Sequence, residues 1–231
     1  MNTFDNFIVG ESNYHAYTFL KELSLKDDVQ GKQIFLVGPV SSGKTHLLES
    51  TAEAIRCRGR AIIYDSAIKF SKDIIPEYFI ESLKNWKTSY GSNPKAVILD
   101  DVHLLKGREQ MQLFLCEFFE FIKNYTKCMV VVSIGTRDDF NLLHENVRNY
   151  INDNTLLELF SPDCKTKEGL VKSFLWESKI TIDQILLSYI VEQLPDDVRE
   201  IRGHCNRLTL AVKMGSLSTV EDVNKYFLTA H

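Results

Sequence analysis

The sequence predicts an α/β fold: a five-stranded parallel sheet covered by helices, followed by a small all-α domain. Three observations carry that expectation. Five short apolar, β-branched segments alternate with long helical patterns. A glycine-rich loop joins the first of them to a helix. After Ser161-Pro162-Asp163 the strand patterns stop and only helical ones follow.

The strands are expected at residues 33–37, 61–64, 96–99, 129–133 and 155–159. Segments that are apolar along most of their length suit parallel strands buried on both faces, joined by right-handed helical crossovers. The first crossover helix is expected over 45–58. Residues 109–125 are so apolar that they read as a core helix, with Phe114, Phe118, Phe121 and Ile122 packing inward. The tail reads as helices near 165–178, 182–194, 197–214 and 219–228. Two of these begin with capping boxes, Thr181…Gln184 and Thr219…Asp222. A boundary near residue 162 therefore divides an α/β body, 1–162, from a helical lid, 163–231.

The 231-residue chain is 44% hydrophobic and 25% charged, a composition able to bury a core, and its formal net charge is −4. That balance excludes nucleic-acid binding driven by a bulk positive field, so any such binding must come from a local patch. Cys57, Cys116, Cys128, Cys164 and Cys205 are scattered without a C-x-x-C pair. This reads as reduced thiols in a cytoplasmic protein, with no disulfide frame and no zinc site. The N-terminus lacks the basic start and apolar run of a secretion signal, and no apolar stretch reaches spanning length, so no membrane role is expected.

Gly38-Pro39-Val40-Ser41-Ser42-Gly43-Lys44-Thr45 fits the phosphate-loop pattern G-x-x-x-x-G-K-[ST], with a strand before it and a helix after it. Glycines let the backbone curl so that successive N–H groups face phosphate oxygens, and the following helix presents its positive dipole end to the same anion. The expected ligand is ATP or ADP with Mg²⁺. Gly38, Ser41, Ser42, Gly43, Lys44, Thr45 and His46 form the phosphate-binding set, with Lys44 reaching the β- and γ-phosphates. Thr45 and Asp100 are the expected Mg²⁺ ligands. Ala96-Val97-Ile98-Leu99-Asp100-Asp101 supplies two carboxylates at the end of a buried strand, and Asp101 would orient or deprotonate an attacking water.

Four stretches occur in a telling order: Phe4-Asp5-Asn6-Phe7-Ile8-Val9-Gly10-Glu11-Ser12-Asn13, Gly43-Lys44-Thr45-His46-Leu47-Leu48, Leu99-Asp100-Asp101-Val102-His103, and Val198-Arg199-Glu200-Ile201-Arg202-Gly203 followed by Asn206-Arg207-Leu208. Together they resemble the ATPase domain of DnaA, the bacterial replication initiator, over almost the whole chain. The resemblance implies an AAA+ module, a P-loop ATPase body with a lid that carries a sensor-2 helix and closes on nucleotide. It implies that Phe7, Ile8, Val9 and Gly10 sit beside the adenine and that Arg199 reaches the β/γ-phosphates from the lid. It places the arginine finger within residues 146–151, where the usual arginine position is Tyr150 and Arg148 is the only nearby guanidinium. Hydrolysis is therefore expected to be weak or partner-dependent. Sensor 1 falls at Ser133 or Thr136, with Gly135 at the usual acidic position.

Full-length initiators add an N-terminal interaction domain and a C-terminal duplex-DNA reader, whereas this sequence starts at the ATPase domain and stops soon after its last helical pattern. In this it is similar to stand-alone regulators of the Hda kind. The function implied is regulation of replication initiation, acting through the initiator DnaA or with other replication proteins, without sequence-specific reading of duplex DNA. The alternative is a helicase loader or single-stranded-DNA adaptor working through residues 69–95. There Lys69, Lys72, Lys84, Lys87 and Lys95 are interleaved with Phe70, Tyr78, Phe79, Trp86 and Tyr90. Such a mixture suits a strand backbone and stacked bases, giving weak affinity for single strands; an amphipathic helix with a lysine-bearing solvent face produces the same pattern. Hda-like proteins bind the sliding clamp through an N-terminal Gln-Leu-x-Leu-Phe peptide, which residues 1–8 lack. Gln110-Met111-Gln112-Leu113-Phe114 falls inside the expected core helix and reads as packing.

Overall fold

The computed structural model describes residues 2–73, 94–213 and 222–223. Strands β1 (Gln33–Val37), β2 (Ile62–Ser66), β3 (Ala96–Asp100), β4 (Met129–Ser133) and β5 (Thr155–Glu158) form one parallel sheet in the order β2-β3-β4-β1-β5. The inner strands β1, β3 and β4 are buried at every residue, while β2 and β5 keep partly exposed positions, as edge strands do. The β2 ladder runs on to Ser66, opposite Asp100, beyond the expected end at residue 64. Backbone pairing continues there although the side chains turn polar, so an apolar pattern stops short of the true end.

Around the sheet lie α1 (Tyr14–Leu25), α2 (Lys44–Cys57), α3 (Ala67–Asp73), α4 (Glu109–Tyr125), α5 (Arg137–Asn141) and α6 (Glu145–Asn152). Strand alternation sorts their partners. On one sheet face Phe35, Val97, Leu99, Val130 and Val132 pack with Phe118 and Ile122 of α4 and with Val147 and Ile151 of α6. On the other, Ile34, Leu36 and Ile98 are fully buried, and α2 lies against β3 and β4. Each such side chain contributes about 1.5–3 kcal/mol of transfer free energy, which fixes the carboxyl ends of the strands as a rigid rim.

Residues 110–114 are helical within α4. Phe114 is buried, and so is Gln112, whose Nε2 donates to Leu105 O at 2.9 Å while its Oε1 accepts from His144 N at 2.8 Å. An extended, exposed clamp peptide is thus ruled out at this position. Phe121 is only partly buried at the edge of the cluster. Phe70 packs 5.0 Å from Phe118 in the core, and Lys69 pairs with Asp65 at 2.7 Å. Most of the lysine–aromatic segment, including Tyr78, Phe79, Lys84, Trp86, Lys87 and Tyr90, lies outside the described residues.

The chain divides into two compact units. The first holds the described residues up to Phe7 and those from His15 to Leu159; the second holds Ile8–Tyr14 and the described residues from Phe160 onward. In the second, α7 (Cys164–Glu177), α8 (Gln184–Gln193) and α9 (Val198–Lys213) close on a core that includes Val171, Leu175, Leu187, Ile190, Ile201 and Leu208. The expected helix at 219–228 lies outside the described residues except for Asp222 and Val223. The capping box expected at Thr181 is not the one used. Asp183 caps α8, its carboxylate accepting from Leu186 N at 2.8 Å, because a charged oxygen is a stronger acceptor for helix N–H groups than a threonine hydroxyl. Among the described residues no helix is long and apolar enough to cross a membrane.

Asp163 ties Ile8–Tyr14 into the second unit. Its carboxylate caps α7 through Thr166 N at 2.7 Å and accepts from Ser12 N at 2.9 Å, while Phe160 N donates to Ser12 O at 3.0 Å. Burial pushes the Asp163 carboxyl up, but the N–H groups of Ser12 and Thr166 and their hydroxyls outweigh it, so the group sits below the ordinary aspartate range. A depressed carboxyl contributes stability above its unfolded pKa of about 3.9 and loses it as pH falls through the folded value. Asp163→Ala is expected to cost about 1–2 kcal/mol at neutral pH, with the deficit shrinking stepwise below pH ~4. Urea unfolding across that range checks it; a deficit independent of pH would contradict this role.

Candidate nucleotide site

The rim formed by the carboxyl ends of β1, β3 and β4 carries the site. Leaving β1, Gly38 N donates to Gly135 O at 3.0 Å, and Leu159 N donates to Val37 O at 2.8 Å. A Cβ on Gly38 would stand 2.6 Å from Leu159 O, so the loop can leave the sheet this closely only with glycine. The loop then turns through Ser41 at φ 63° and Gly43 at φ 98°, both left-handed, before α2 begins. A serine held in that region is a strained backbone position of the kind found at ligand sites. The opening turn of a helix has N–H groups beyond the reach of intrahelical acceptors.

The side chains of the loop fit a phosphate. Ser41 Oγ and Ser42 Oγ are buried without a hydrogen-bond partner. Buried hydroxyls are rarely left so, and an anion in the loop would satisfy them. Lys44 is 7% exposed, and its Nζ donates to Gly38 O and Pro39 O, each at 2.7 Å, so the ammonium is folded back over the loop.

Asp100 ends β3 nearly buried. Its Oδ2 accepts from Thr45 Oγ1 at 2.8 Å; its Oδ1 accepts from Ser133 Oγ and, at 3.1 Å, from Asp101 N. Thr45 and Asp100, expected to share a metal, are therefore in direct contact. The hard oxygen donors of an acid and a hydroxyl suit Mg²⁺, an ion that keeps most of its waters. Asp101 differs from its neighbour. It stands at φ 60°, its N–H also donates to Ser133 Oγ at 2.9 Å, and its side chain is 45% exposed. Both Asp100 carboxylate oxygens are engaged within the protein, whereas the Asp101 side chain stays partly exposed. His103 Nδ1 lies 3.9 Å from Asp101 Oδ1, beyond hydrogen-bond range.

Of the two sensor-1 candidates, Ser133 is the one that meets Asp100. The Thr136 hydroxyl is occupied in capping α5 with Asp139. At Gly135 the space for a side chain is taken by Asp139, whose Oδ2 would lie 2.2 Å from an added Cβ. The His46 side chain is held by the N-terminal turn: its Nε2 meets Thr3 O at 3.1 Å and Asn6 Oδ1 at 3.0 Å, and burial lowers its pKa against the opposing pull of the Thr3 carbonyl. Phe7 is buried beside it in the first unit, whereas Ile8, Val9 and Gly10 belong to the second. Arg199 is exposed in the opening turn of α9, its N–H donating to Asp197 Oδ1 at 2.7 Å; Asp196 is engaged by Lys167 at 2.7 Å.

Tyr150 is a strut of the core. Its ring lies 6.3 Å from both Phe35 and Phe119, its hydroxyl donates to Gln33 Oε1, and burial pushes its pKa above the ordinary phenol range. Arg148 donates to Asn141 O at 3.0 Å. Tyr150→Phe is expected to lose about 1–2 kcal/mol, because it strands the Gln33 oxygen in a buried setting, and Tyr150→Arg to lose more, because the ring goes too. Denaturant unfolding of both measures this; an unchanged midpoint for Tyr150→Phe would contradict the hydrogen bond.

A family model described as Bacterial DnaA ATPase domain matches residues 1–156. The chain belongs to that family. The chromosomal replication initiator DnaA of Helicobacter hepaticus is 24% identical over 229 residues, 97% of this chain and 50% of that protein. The chain thus spans about half the length of the curated relatives it matches. A DnaA solved with AMPPCP and single-stranded DNA superposes with a TM-score of 0.76 at 26% identity, over 90% of this chain and 65% of that one. Domain III of Thermotoga maritima DnaA superposes at 0.75 over 96% of this chain and 93% of that one; at 22% identity this shows the fold. The sheet and its phosphate loop are therefore a DnaA-type AAA+ body.

The residues that sequence reasoning missed are distant pairs: Tyr150 with Gln33, Asp163 with Ser12, and His46 with Thr3 and Asn6. Only the Asp163-x-x-Thr166 spacing carried a local signal, that of a helix cap.

Proposed function

We propose that this DnaA-type domain binds ATP or ADP with Mg²⁺ and regulates the initiation of chromosome replication by acting through the initiator DnaA. The observation that carries the nucleotide reading is the pair of buried, unpartnered hydroxyls of Ser41 and Ser42 in a loop capped by Lys44. Lys44 would exchange loop carbonyls for phosphate oxygens. Thr45 and Asp100 would hold Mg²⁺, which neutralises phosphate charge when bound. Ile8, Val9 and Gly10 would flank the base, Arg199 would approach the phosphates, and Asp101 would orient water. Turnover is expected to be slow, since Tyr150 packs in the core and Arg148 is the nearest guanidinium to the finger position.

The link to initiation rests on family membership and on relatives named as replication initiators. Pull-downs with the cell's initiator, replicative helicase and sliding clamp as baits test it. Nucleotide-dependent capture by the initiator is the expected result; capture by the helicase alone favours the loader reading. A second reading, weak binding of single-stranded DNA, is favoured by the relative solved with such a strand. Gel shifts with a single strand, an origin duplex and a scrambled duplex at two salt concentrations test it. A preference for the origin duplex that survives moderate salt would contradict both readings.

A further inference from the structure

The geometry points to Phe7 as a positioning residue for the phosphate loop, bracing Gly43 from behind with no contact to the base. This inference rests on the phosphate-loop reading above and assigns Phe7 a role different from the one its resemblance implies.

Gly43 is the hinge between the loop and α2, held at φ 98°. A Cβ at that residue would meet Phe7 Cε2 at 2.9 Å and Cζ at 3.1 Å, so the phenyl ring occupies the space beside the Gly43 backbone. The ring is itself clamped. It stacks on Tyr17 at 5.6 Å and 16°, and it meets the His46 imidazole edge-on at 4.9 Å and 88°. The imidazole is fixed in turn by Thr3 O and Asn6 Oδ1, and Tyr17 OH donates to Phe4 O at 3.3 Å. Asn2 Nδ2 donates to Glu49 Oε2 at 2.8 Å, pinning the N-terminal turn a second time to α2. Phe7 is 9% exposed. Little of such a ring is left to present to a purine, and its Cε2–Cζ edge bears on the residue from which the phosphate-facing N–H groups start.

The consequence is a specific pattern of losses. A brace acts on every ligand of the loop alike, whereas a base contact acts only on ligands that have a base. Phe7→Ala should weaken ADP and inorganic tripolyphosphate, both with Mg²⁺, by the same factor, on the order of tenfold. Phe7→Leu, which restores apolar bulk behind Gly43, should recover most of that loss for both. A second readout needs no ligand. In a denaturant double-mutant cycle, part of the damage done by Gly43→Ala should vanish in a Phe7→Ala background, because the ring that the new methyl strikes is gone.

Calorimetric titration of the unaltered protein and the two Phe7 variants with ADP and with tripolyphosphate, together with the unfolding cycle, tests the brace. Equal losses and a coupled cycle are expected. Weakened ADP with unchanged tripolyphosphate would overturn it in favour of a base contact, and an additive cycle would overturn it outright. If the unaltered protein bound neither probe, the phosphate-loop reading would fall, and the cycle would still decide separately whether Phe7 bears on Gly43.

Discussion

Lys44→Ala is expected to weaken ADP and ATP binding by about 1.5–3 kcal/mol, roughly ten- to a hundredfold. The size follows from what is removed. The ammonium is nearly buried and already directed at the loop, donating to Gly38 O and Pro39 O at 2.7 Å. Its charge-assisted contacts to phosphate would form without the ordering cost of an exposed lysine. Those same bonds brace the loop itself, so a modest fall in thermal stability should accompany the loss of affinity. Calorimetry on the variant, with a melting curve to show that it is folded, measures both. A folded Lys44→Ala protein that binds ADP as tightly as the parent would remove the phosphate loop from the account.

Asp100→Asn should leave the fold intact and abolish the gain in nucleotide affinity that Mg²⁺ provides. The amide is isosteric. It can still accept from Ser133 Oγ and Asp101 N through its oxygen, and its NH₂ can donate to the Thr45 hydroxyl in place of accepting from it. The charge that would anchor a divalent cation is lost, and a neutral amide is a poor substitute for carboxylate toward a hard ion. Titrations of ADP with Mg²⁺ and with EDTA should therefore coincide in the variant and differ in the parent. A parent-like response to Mg²⁺ would place the cation elsewhere.

Legibility in the sequence followed sequence distance. The strands, the loop and α2 could be read because each depends on consecutive residues: the apolar run before Gly38, the glycines that permit the turn, and the helix that follows. Lys44, Thr45 and Asp100 came with them, since a loop after β1 and an acid after β3 can meet only at one end of a parallel sheet. Ser133 could not be separated from Thr136, because choosing between two hydroxyls requires knowing that one is spent on a helix cap. Tyr150 read as a vacant finger position; its engagement with Gln33 depends on β1 and α6 being neighbours across the core. Likewise, Ile8–Tyr14 reads as the start of the body, whereas long-range contacts such as the hydrogen bonds of Ser12 with Asp163 and Phe160 place it with the later helices.

Whether this loop binds nucleotide phosphates with Mg²⁺ is decided by calorimetric titration of the unaltered protein with ADP, first with Mg²⁺ and then with EDTA. Saturable binding at one site, measurably tighter with the metal, is the expected result. The absence of saturable heat at millimolar ADP in both conditions, from protein shown by melting to be folded, would contradict it.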